Sequence, residues 1–266
     1  MDEPSVIRAL AGQGVRAWLL AAVLGTAAFF PLCLFVLAAG RGSVAEQETA
    51  RARAEAGPLP AAPAIVIGFV GGYVSHDNVV HSVVQVAAQL RKDYPVGVYV
   101  AVYENHRREE AHREILRLLD TNQDGKLSDN EKKDARIVIY GHSWGASESV
   151  GLAQELESDG IPVLLTIQVD SVSKPGGDDR FIQENVDGAA NLPQLNGILH
   201  GQRRIEAVNP RRTRILGNFQ FDYRTNSVNC DGYPWYAQLF MKPHIEIESD
   251  PGVWRQVESL IRSKLD

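Results

Sequence analysis

The chain has 266 residues, of which 44% are hydrophobic and 23% are charged, as in a globular protein with one large domain and unlike a disordered or fibrous chain. Its formal net charge of −6 provides no basic surface for nucleic acid, so we expect no nucleic-acid partner. The two cysteines, Cys33 and Cys230, lie far apart, which excludes a disulfide framework and a four-thiolate zinc site.

Residues 1–45 are predicted to be a signal anchor or a signal peptide. The run from Ala17 to Ala39 contains no charged residue, and a bilayer-spanning helix needs about 20 apolar residues. Ser43-Val44-Ala45 also fits a small-x-small cleavage site, so anchoring and cleavage both stay open. Residues 46–63 are predicted to be a linker. We therefore expect a domain over residues 64–266 that is membrane-anchored facing outside the cytoplasm, or secreted.

From residue 64 onwards, predicted strands alternate with predicted helices. The expected strands are residues 64–70, 96–103, 136–140, 162–169 and 214–219. The expected helices are residues 79–90, 109–119 and 146–156, and a last helix that Asp250 caps before Pro251. This alternation predicts an α/β fold with a mostly parallel sheet between helices, preceded by the N-terminal hydrophobic helix. The long segment 171–209 has no clear period and is expected to form a partial lid.

Gly141-His142-Ser143-Trp144-Gly145 has the G-x-S-x-G pattern of a nucleophile elbow. A β-branched run leads into it and an amphipathic helical pattern follows, as a strand–turn–helix elbow requires. Glycines two residues on either side of the serine leave room for a very sharp turn. Ser143 is therefore the candidate nucleophile.

On this motif, on GFVGG at 68–72 and on a late histidine, the chain resembles the thioesterase- and lipase-like members of the α/β-hydrolase superfamily. The resemblance covers about residues 64–265 and implies the order serine, acid, histidine. It assigns the base to His244, which is expected in a loop immediately before the last helix. Asp170 and Asp222 each follow a predicted strand and both remain candidates for the acid; Asp170 is favoured because it directly terminates an apolar strand.

The resemblance also implies an oxyanion hole built from two backbone N–H groups. Trp144 is expected to supply one, and Phe69 or Val70 the other. Among the remaining histidines, the side chain of His142 is expected to point away from Ser143. His81, His106 and His112 are expected to be solvated.

Residues 120–131 fit the twelve-residue calcium loop of an EF-hand. Oxygen ligands are expected at positions 1, 3, 5, 7, 9 and 12, which are Asp120, Asn122, Asp124, Lys126 through its carbonyl, Ser128 and Glu131. Gly125 stands at position 6, where the loop turns sharply. Because only one such loop is present, we expect a structural Ca²⁺ as the cofactor and no paired calcium sensor.

The sequence therefore predicts a serine hydrolase that cleaves an ester or thioester bond, in a small-molecule or lipid-like substrate, through an acyl-enzyme. A non-catalytic calcium-binding envelope protein on a hydrolase scaffold is the alternative, and a binding or scaffolding module is a third possibility. Seven aromatic residues precede His244 and either line an acyl pocket or pack in the core: Phe219, Phe221, Tyr223, Tyr233, Trp235, Tyr236 and Phe240.

Overall fold

The computed structural model describes residues 63–174 and 176–266. The predicted signal or anchor segment and nearly all of the predicted linker lie outside these residues. Within the described ranges, no helix is both long enough and apolar enough to cross a bilayer.

The central sheet contains six parallel strands: β1 Ala64–Val70, β2 Val98–Glu104, β3 Arg136–His142, β4 Leu165–Val169, β6 Gly188–Leu192 and β8 Arg214–Asn218. Their order across the sheet is β2-β1-β3-β4-β6-β8. Two short strands, β5 Phe181–Ile182 and β7 Glu206–Ala207, pair with each other outside this sheet. The predicted parallel α/β architecture is confirmed.

Helices cover both faces of the sheet. They are α1 Ser82–Asp93, α2 Arg108–Leu119, α3 Asp129–Lys133, α4 Trp144–Ser158, α5 Trp235–Phe240, α6 Lys242–Ser249 and α7 Pro251–Leu265. Helices α1 and α7 pack on one core cluster, together with alternate strand residues such as Val66 and Val138. Helices α2 and α4 pack on the other cluster with the intervening residues, such as Ile65 and Ile137. Because successive side chains of a strand point to opposite faces, both faces of the sheet are buried.

Two expectations about the second half of the chain are wrong. Segment 171–209 is not a lid, because it contains β6, a buried strand between β4 and β8. His244 does not lie in a loop, because it belongs to the first turn of α6, a helix separate from the last one. The predicted strand at residues 214–219 is confirmed as β8, which ends one residue earlier. The predicted cap of the last helix is confirmed, with the Asp250 side chain accepting from the backbone N–H of Gly252.

Candidate active site

Ser143 occupies a strained turn between β3 and α4. Its backbone angles are φ 57° and ψ −126°, in a region that residues other than glycine rarely adopt. A β-carbon on Gly145 would lie 2.2 Å from the carbonyl oxygen of Phe69, and one on Gly141 would lie 2.5 Å from the carbonyl carbon of Gly145. The two glycines therefore let the turn pack against β1, which holds the serine above the carboxyl ends of the strands.

The structure brings Ser143, His244 and Asp170 into one hydrogen-bonded chain. Ser143 Oγ lies 2.8 Å from His244 Nε2, and His244 Nδ1 lies 2.6 Å from Asp170 Oδ2. The side chains are nearly enclosed, with exposed fractions of 8% for Ser143, 5% for His244 and 0% for Asp170. This arrangement allows the imidazole to take the serine proton while the carboxylate fixes the ring and its tautomer.

Asp170 is held by donors that the sequence reading did not anticipate. Its carboxylate accepts hydrogen bonds from the Gly201 backbone at 2.7 Å and from the Gln194 backbone at 3.3 Å and side chain at 3.1 Å. A buried carboxylate is stable in its ionised form only when such donors replace water. Its partners Gln194 and Gly201 lie in segment 171–209, where no local pattern pointed to them.

The other candidate acid, Asp222, lies elsewhere. Its carboxylate pairs with the guanidinium of Arg224, two residues further on. Hydrogen bonds from Arg224 lower the pKa of Asp222. The structure therefore places Asp170, and not Asp222, at the Nδ1 atom of His244.

Burial and the contact with Asp170 act on the pKa of His244 in opposite directions, and burial has the larger effect. Because desolvation favours the neutral ring, it lowers the pKa of this histidine, whereas the hydrogen bond that the ring donates to Asp170 raises it. A neutral imidazole is the form that accepts a proton from a serine hydroxyl.

The loop after β1 lies directly against the nucleophile. A β-carbon on Gly71 would lie 2.8 Å from Ser143 Cβ, so only glycine permits this approach. The loop is fastened to the end of β2, where the Asn105 amide donates to the carbonyl of Gly72 and Glu104 accepts from the ring of His76 at 2.7 Å.

The residues predicted as oxyanion donors surround this point. Trp144 is the first residue of α4, and its ring contacts the exposed ring of Tyr73 edge to face. Phe69 and Val70 are the last two residues of β1, and Phe69 is level with Gly141 in the sheet. Gly71, one residue beyond the predicted pair, is so close to Ser143 that a β-carbon built on it would lie 2.8 Å from Ser143 Cβ. The donor roles of Trp144, Phe69 and Val70 stay predictions.

Two of the histidines that were expected to be solvated or uninvolved are buried beside the site. The ring of His142 lies against the ring of His244, with centroids 4.6 Å apart, and its Nδ1 lies 3.0 Å from Glu248. His81 is also buried and faces Glu248 at 3.3 Å. Of the other two, His106 is exposed, as expected, whereas His112 is half-buried and pairs with Asp159 at 2.6 Å.

The seven aromatic residues before His244 divide into two groups. Tyr223 is buried in the core, and Phe219 and Phe221 pack against that core; Tyr233 packs near Cys230 and Ala237. Trp235, Tyr236 and Phe240 instead lie exposed on α5, together with Leu239. Helix α5 is therefore an exposed apolar surface that ends four residues before His244.

Residues 120–131 run from the end of α2 into α3. Asp120 ends α2, Gly125 has a φ of 79°, and Ser128 caps α3 in a capping box with Glu131. Its carboxylates are engaged within the loop: Asp120 accepts from the backbone of Gly125 at 2.9 Å, and Glu131 accepts from the backbone of Thr121 at 2.9 Å. Across the described ranges, no three His, Cys, Asp or Glu side chains are grouped closely enough to hold a metal ion. The calcium site therefore stays a prediction.

Comparison with protein families and with curated proteins finds no match to this chain. Several solved structures are similar to it. A thioesterase, RedJ of the prodiginine biosynthetic pathway in Streptomyces coelicolor, is 10% identical, with 79% of this chain and 96% of that one covered and a TM-score of 0.43. A thermostable esterase from Pseudomonas putida is 11% identical, with coverages of 78% and 74% and a TM-score of 0.39. A cutinase-like protein from Cryptococcus sp. is 13% identical, with coverages of 78% and 98% and a TM-score of 0.39.

At these identities and TM-scores the likeness identifies no activity for this chain. A function has to be argued from the geometry around Ser143.

Proposed function

We propose that this protein is a serine hydrolase of the α/β-hydrolase type that cleaves ester or thioester bonds through an acyl-enzyme. The observation that carries the proposal is the continuous contact from Ser143 Oγ through His244 to Asp170, at 2.8 and 2.6 Å. Both distances are those of hydrogen bonds, and the serine stands on a strained elbow.

In the proposed reaction, Ser143 Oγ attacks the carbonyl carbon of the substrate while His244 Nε2 takes the hydroxyl proton. The oxyanion forms at the N-terminus of α4, where the N–H of Trp144 and the loop backbone around Gly71 are the proposed donors. His244 then protonates the departing alcohol or thiol. Water, deprotonated by the same ring, releases the acid from Ser143.

A fluorophosphonate probe tests the nucleophile directly. Wild-type protein should be labelled on Ser143, whereas Ser143→Ala should not be labelled and His244→Ala should react at least about 100-fold more slowly. Ser147→Ala is the matched control, because Ser147 lies one helical turn into α4 and outside the hydrogen-bonded chain. Labelling of Ser143→Ala, or of His244→Ala at the wild-type rate, would refute the proposal.

The exposed face of α5 supports an apolar acyl group in the substrate. Leu239 and Phe240 are exposed shortly before His244, and Tyr73 and Ile198 are exposed on loops around the same end of the sheet. Leu239→Ser should therefore lower kcat/KM for an eight-carbon p-nitrophenyl ester by several-fold, which corresponds to the free energy of burying about one to two methylene groups. The kcat/KM for p-nitrophenyl acetate should stay unchanged. Equal losses on both esters would contradict this assignment. Acyl-thioesters assayed alongside would decide between ester and thioester substrates.

We also propose that loop 120–131 binds a structural Ca²⁺. The loop backbone and the filled ligand positions support this, and hydrogen bonds from Ser128 and Thr121 lower the pKa of Glu131 to about 2, so that its carboxylate is ionised. Binding requires the carboxylates of Asp120, Asp124 and Glu131 to exchange some of their N–H partners for the cation. The ion would tie the end of α2 to α3, immediately before β3.

Thermal unfolding tests the calcium proposal without any activity assay. With a dissociation constant of about 0.1–1 mM, 10 mM Ca²⁺ should stabilise the wild type by about 1.4–2.7 kcal/mol relative to chelator. Glu131→Gln should abolish this difference. Asp129→Asn is the matched control, since position 10 of the loop is not a ligand. An identical Tm of the wild type with Ca²⁺ and with chelator would refute the site. Calcium-dependent stability without labelling of Ser143 would favour the non-catalytic alternative.

We further propose that the domain works outside the cytoplasm, either anchored through residues 17–39 or secreted after cleavage near residue 45. The uncharged run supports this placement. Sequencing the N-terminus of the mature protein from membrane and soluble fractions would separate anchoring from cleavage, and an intact chain in the cytosol would contradict both.

A further inference from the structure

A second group of titratable side chains is buried behind the catalytic chain. His142 and Glu248 have exposed fractions of 6% and 1%, and neither belongs to the proposed triad. His142 precedes the nucleophile on β3, and Glu248 lies one helical turn after His244 on α6. His142 Nδ1 lies 3.0 Å from Glu248 Oε2.

Each nitrogen of the His142 ring faces an oxygen that can accept a hydrogen bond. Its Nε2 lies 3.3 Å from the backbone carbonyl oxygen of His244, which can only accept a hydrogen bond. Its Nδ1 faces a carboxylate oxygen of Glu248, which is also only an acceptor when ionised. A neutral ring would turn a lone pair towards one of these oxygens. The imidazolium ion fits both.

The positive charge of His142 stabilises the ionised form of the Glu248 carboxylate. Its Oε2 makes no well-directed hydrogen bond with any group in the described part of the chain, so the contact with His142 is chiefly an ion pair. Burial raises the pKa of Glu248, but the positive charge of His142, with a smaller contribution from His81, lowers it to about 2. In return, Glu248 raises the pKa of His142 against the effect of burial.

The same carboxylate fixes the helix that carries the base. Glu248 Oε1 accepts from the backbone N–H of Ser82 at 3.0 Å, and the Ser82 hydroxyl donates to the Glu248 carbonyl at 2.6 Å. Helix α6 is thereby tied to the start of α1 and, through His142, to the end of β3. The His142 and His244 rings are neighbours, with their planes tilted by 32° relative to each other.

We propose that His142 and Glu248 are positioning residues, a buried ion pair that fixes the plane of the His244 ring and holds a positive charge against its face. As catalysis by His244 is itself proposed, this inference rests on the proposed function. Among the described residues, the hydrogen-bond partner of Ser143 Oγ is His244 and neither of these two. They act on the reaction through His244.

The positive charge of His142 affects the protonation of His244. The imidazolium of His142 disfavours a second positive charge on His244, whereas Asp170 at Nδ1 and Glu248 behind His142 favour it. His81 also faces the pair through Glu248, and Tyr233 contacts His81 at 3.3 Å. With His142 charged, His244 stays neutral, and so active as a base, to a lower pH than it would beside a neutral ring.

Nitrogen NMR of the histidine rings tests the ion pair without using activity. In wild type and in Ser143→Ala, His142 should show two protonated ring nitrogens at pH 8, above the ordinary histidine pKa of about 6.5. Glu248→Gln should convert it to a neutral ring, because the amide can donate to Nδ1. A neutral His142 at pH 7 in the wild type would overturn the proposal, whether or not Ser143 proves to be a nucleophile.

The pH profile of kcat/KM tests the effect on His244. Glu248→Gln should move the acid limb upwards by up to about 1 pH unit, and His142→Asn by about 1–2 units, because Asn leaves the Glu248 charge without its cation. The double variant should return to the position of Glu248→Gln. A purely structural role would lower kcat/KM without this ordered shift, and that result would overturn the electrostatic part of the proposal.

Glu246→Gln is the matched control. Glu246 is buried on the same helix, but its carboxylate binds Ser227 Oγ at 2.7 Å and the Val228 backbone at 3.2 Å, away from His244. Its loss should lower stability and leave the acid limb where it is in the wild type. A limb shifted equally by Glu246→Gln would show that the effect is not specific to the ion pair.

Discussion

Replacing Asp170 with Asn should nearly abolish catalysis while leaving the fold intact. Oδ2 of the carboxylate accepts from His244 Nδ1 at 2.6 Å and from the Gln194 side chain at 3.1 Å, whereas Oδ1 accepts from the backbone N–H groups of Gly201 at 2.7 Å and Gln194 at 3.3 Å. An amide has only one accepting oxygen, so in Asp170→Asn the NH₂ group must face either His244 and the Gln194 side chain, or the backbone N–H groups of Gly201 and Gln194. Facing His244, the amide selects the tautomer with hydrogen on Nε2, which cannot take the Ser143 proton.

The expected loss follows from this tautomer change. In a serine-protease triad the same substitution lowers kcat by about 10⁴-fold, or about 5.5 kcal/mol of transition-state stabilisation. Mispairing with Gln194 should also cost about 1–3 kcal/mol of stability, since buried donors lose their acceptor. Hydrolysis of p-nitrophenyl acetate measures the first effect, and urea unfolding measures the second.

Asp222→Asn is the matched control for this prediction. Asp222 binds Arg224, and the carboxylate at His244 Nδ1 is that of Asp170, so loss of the Asp222 charge should change kcat/KM by less than about twofold. If Asp170→Asn keeps more than about a tenth of wild-type activity, or if Asp222→Asn is the more damaging change, the orienting acid is misassigned.

Three further outcomes are expected. Gly71→Ala should lower kcat/KM at least about 100-fold with little loss of stability, because the new β-carbon would lie 2.8 Å from Ser143 Cβ; normal ester hydrolysis would contradict this. Gly145→Ala should destabilise the protein by about 1–3 kcal/mol or more, measured by urea unfolding, because its β-carbon would lie 2.2 Å from the Phe69 carbonyl oxygen. Since burial lowers the pKa of His244 and only the neutral ring is a base, kcat/KM should fall only below about pH 6.5. An acid limb centred above that pH would refute the last expectation.

Elements with strong local signals were predictable. Strand β1 was predicted at its observed bounds, because AIVIGFV is a continuous apolar run and all seven residues are buried. The elbow was predictable for a different reason. Gly141 and Gly145 avoid the steric overlaps that a β-carbon would make in this turn, and both glycines are part of the motif itself.

Strand β6 was missed because its residues carry no strand signal. GAANL contains small residues and an asparagine, yet all five are buried between β4 and β8. Asn191 bonds across the sheet to Asn218 at 3.1 Å and to the Gln202 carbonyl at 2.8 Å. Its place in the sheet is determined by neighbours distant in sequence, which override local propensity.

Helix α6 was missed because its pattern is misleading. HIEIE alternates apolar and polar residues, which indicates a strand, whereas the structure buries both kinds of residue in a helix. The polar ones are buried because each has a partner far away in sequence: Glu248 has His142 and Ser82, and Glu246 has Ser227. A predicted helix would have placed His244 and Glu248 on one face, four residues apart, but would not have shown that Glu248 pairs with His142, which lies on β3.

The residues of the site therefore differ in how well they can be predicted from the amino-acid sequence. The nucleophile can be predicted from the local sequence, because the turn that carries Ser143 has its own sequence pattern. The identity of the acid is not local, since both Asp170 and Asp222 follow strands and only the position of α6 decides which one meets His244. That position in turn depends on Glu248 and its contacts with β3 and α1. The choice between two chemically equivalent carboxylates is thus made by a third carboxylate that takes no part in the proposed reaction.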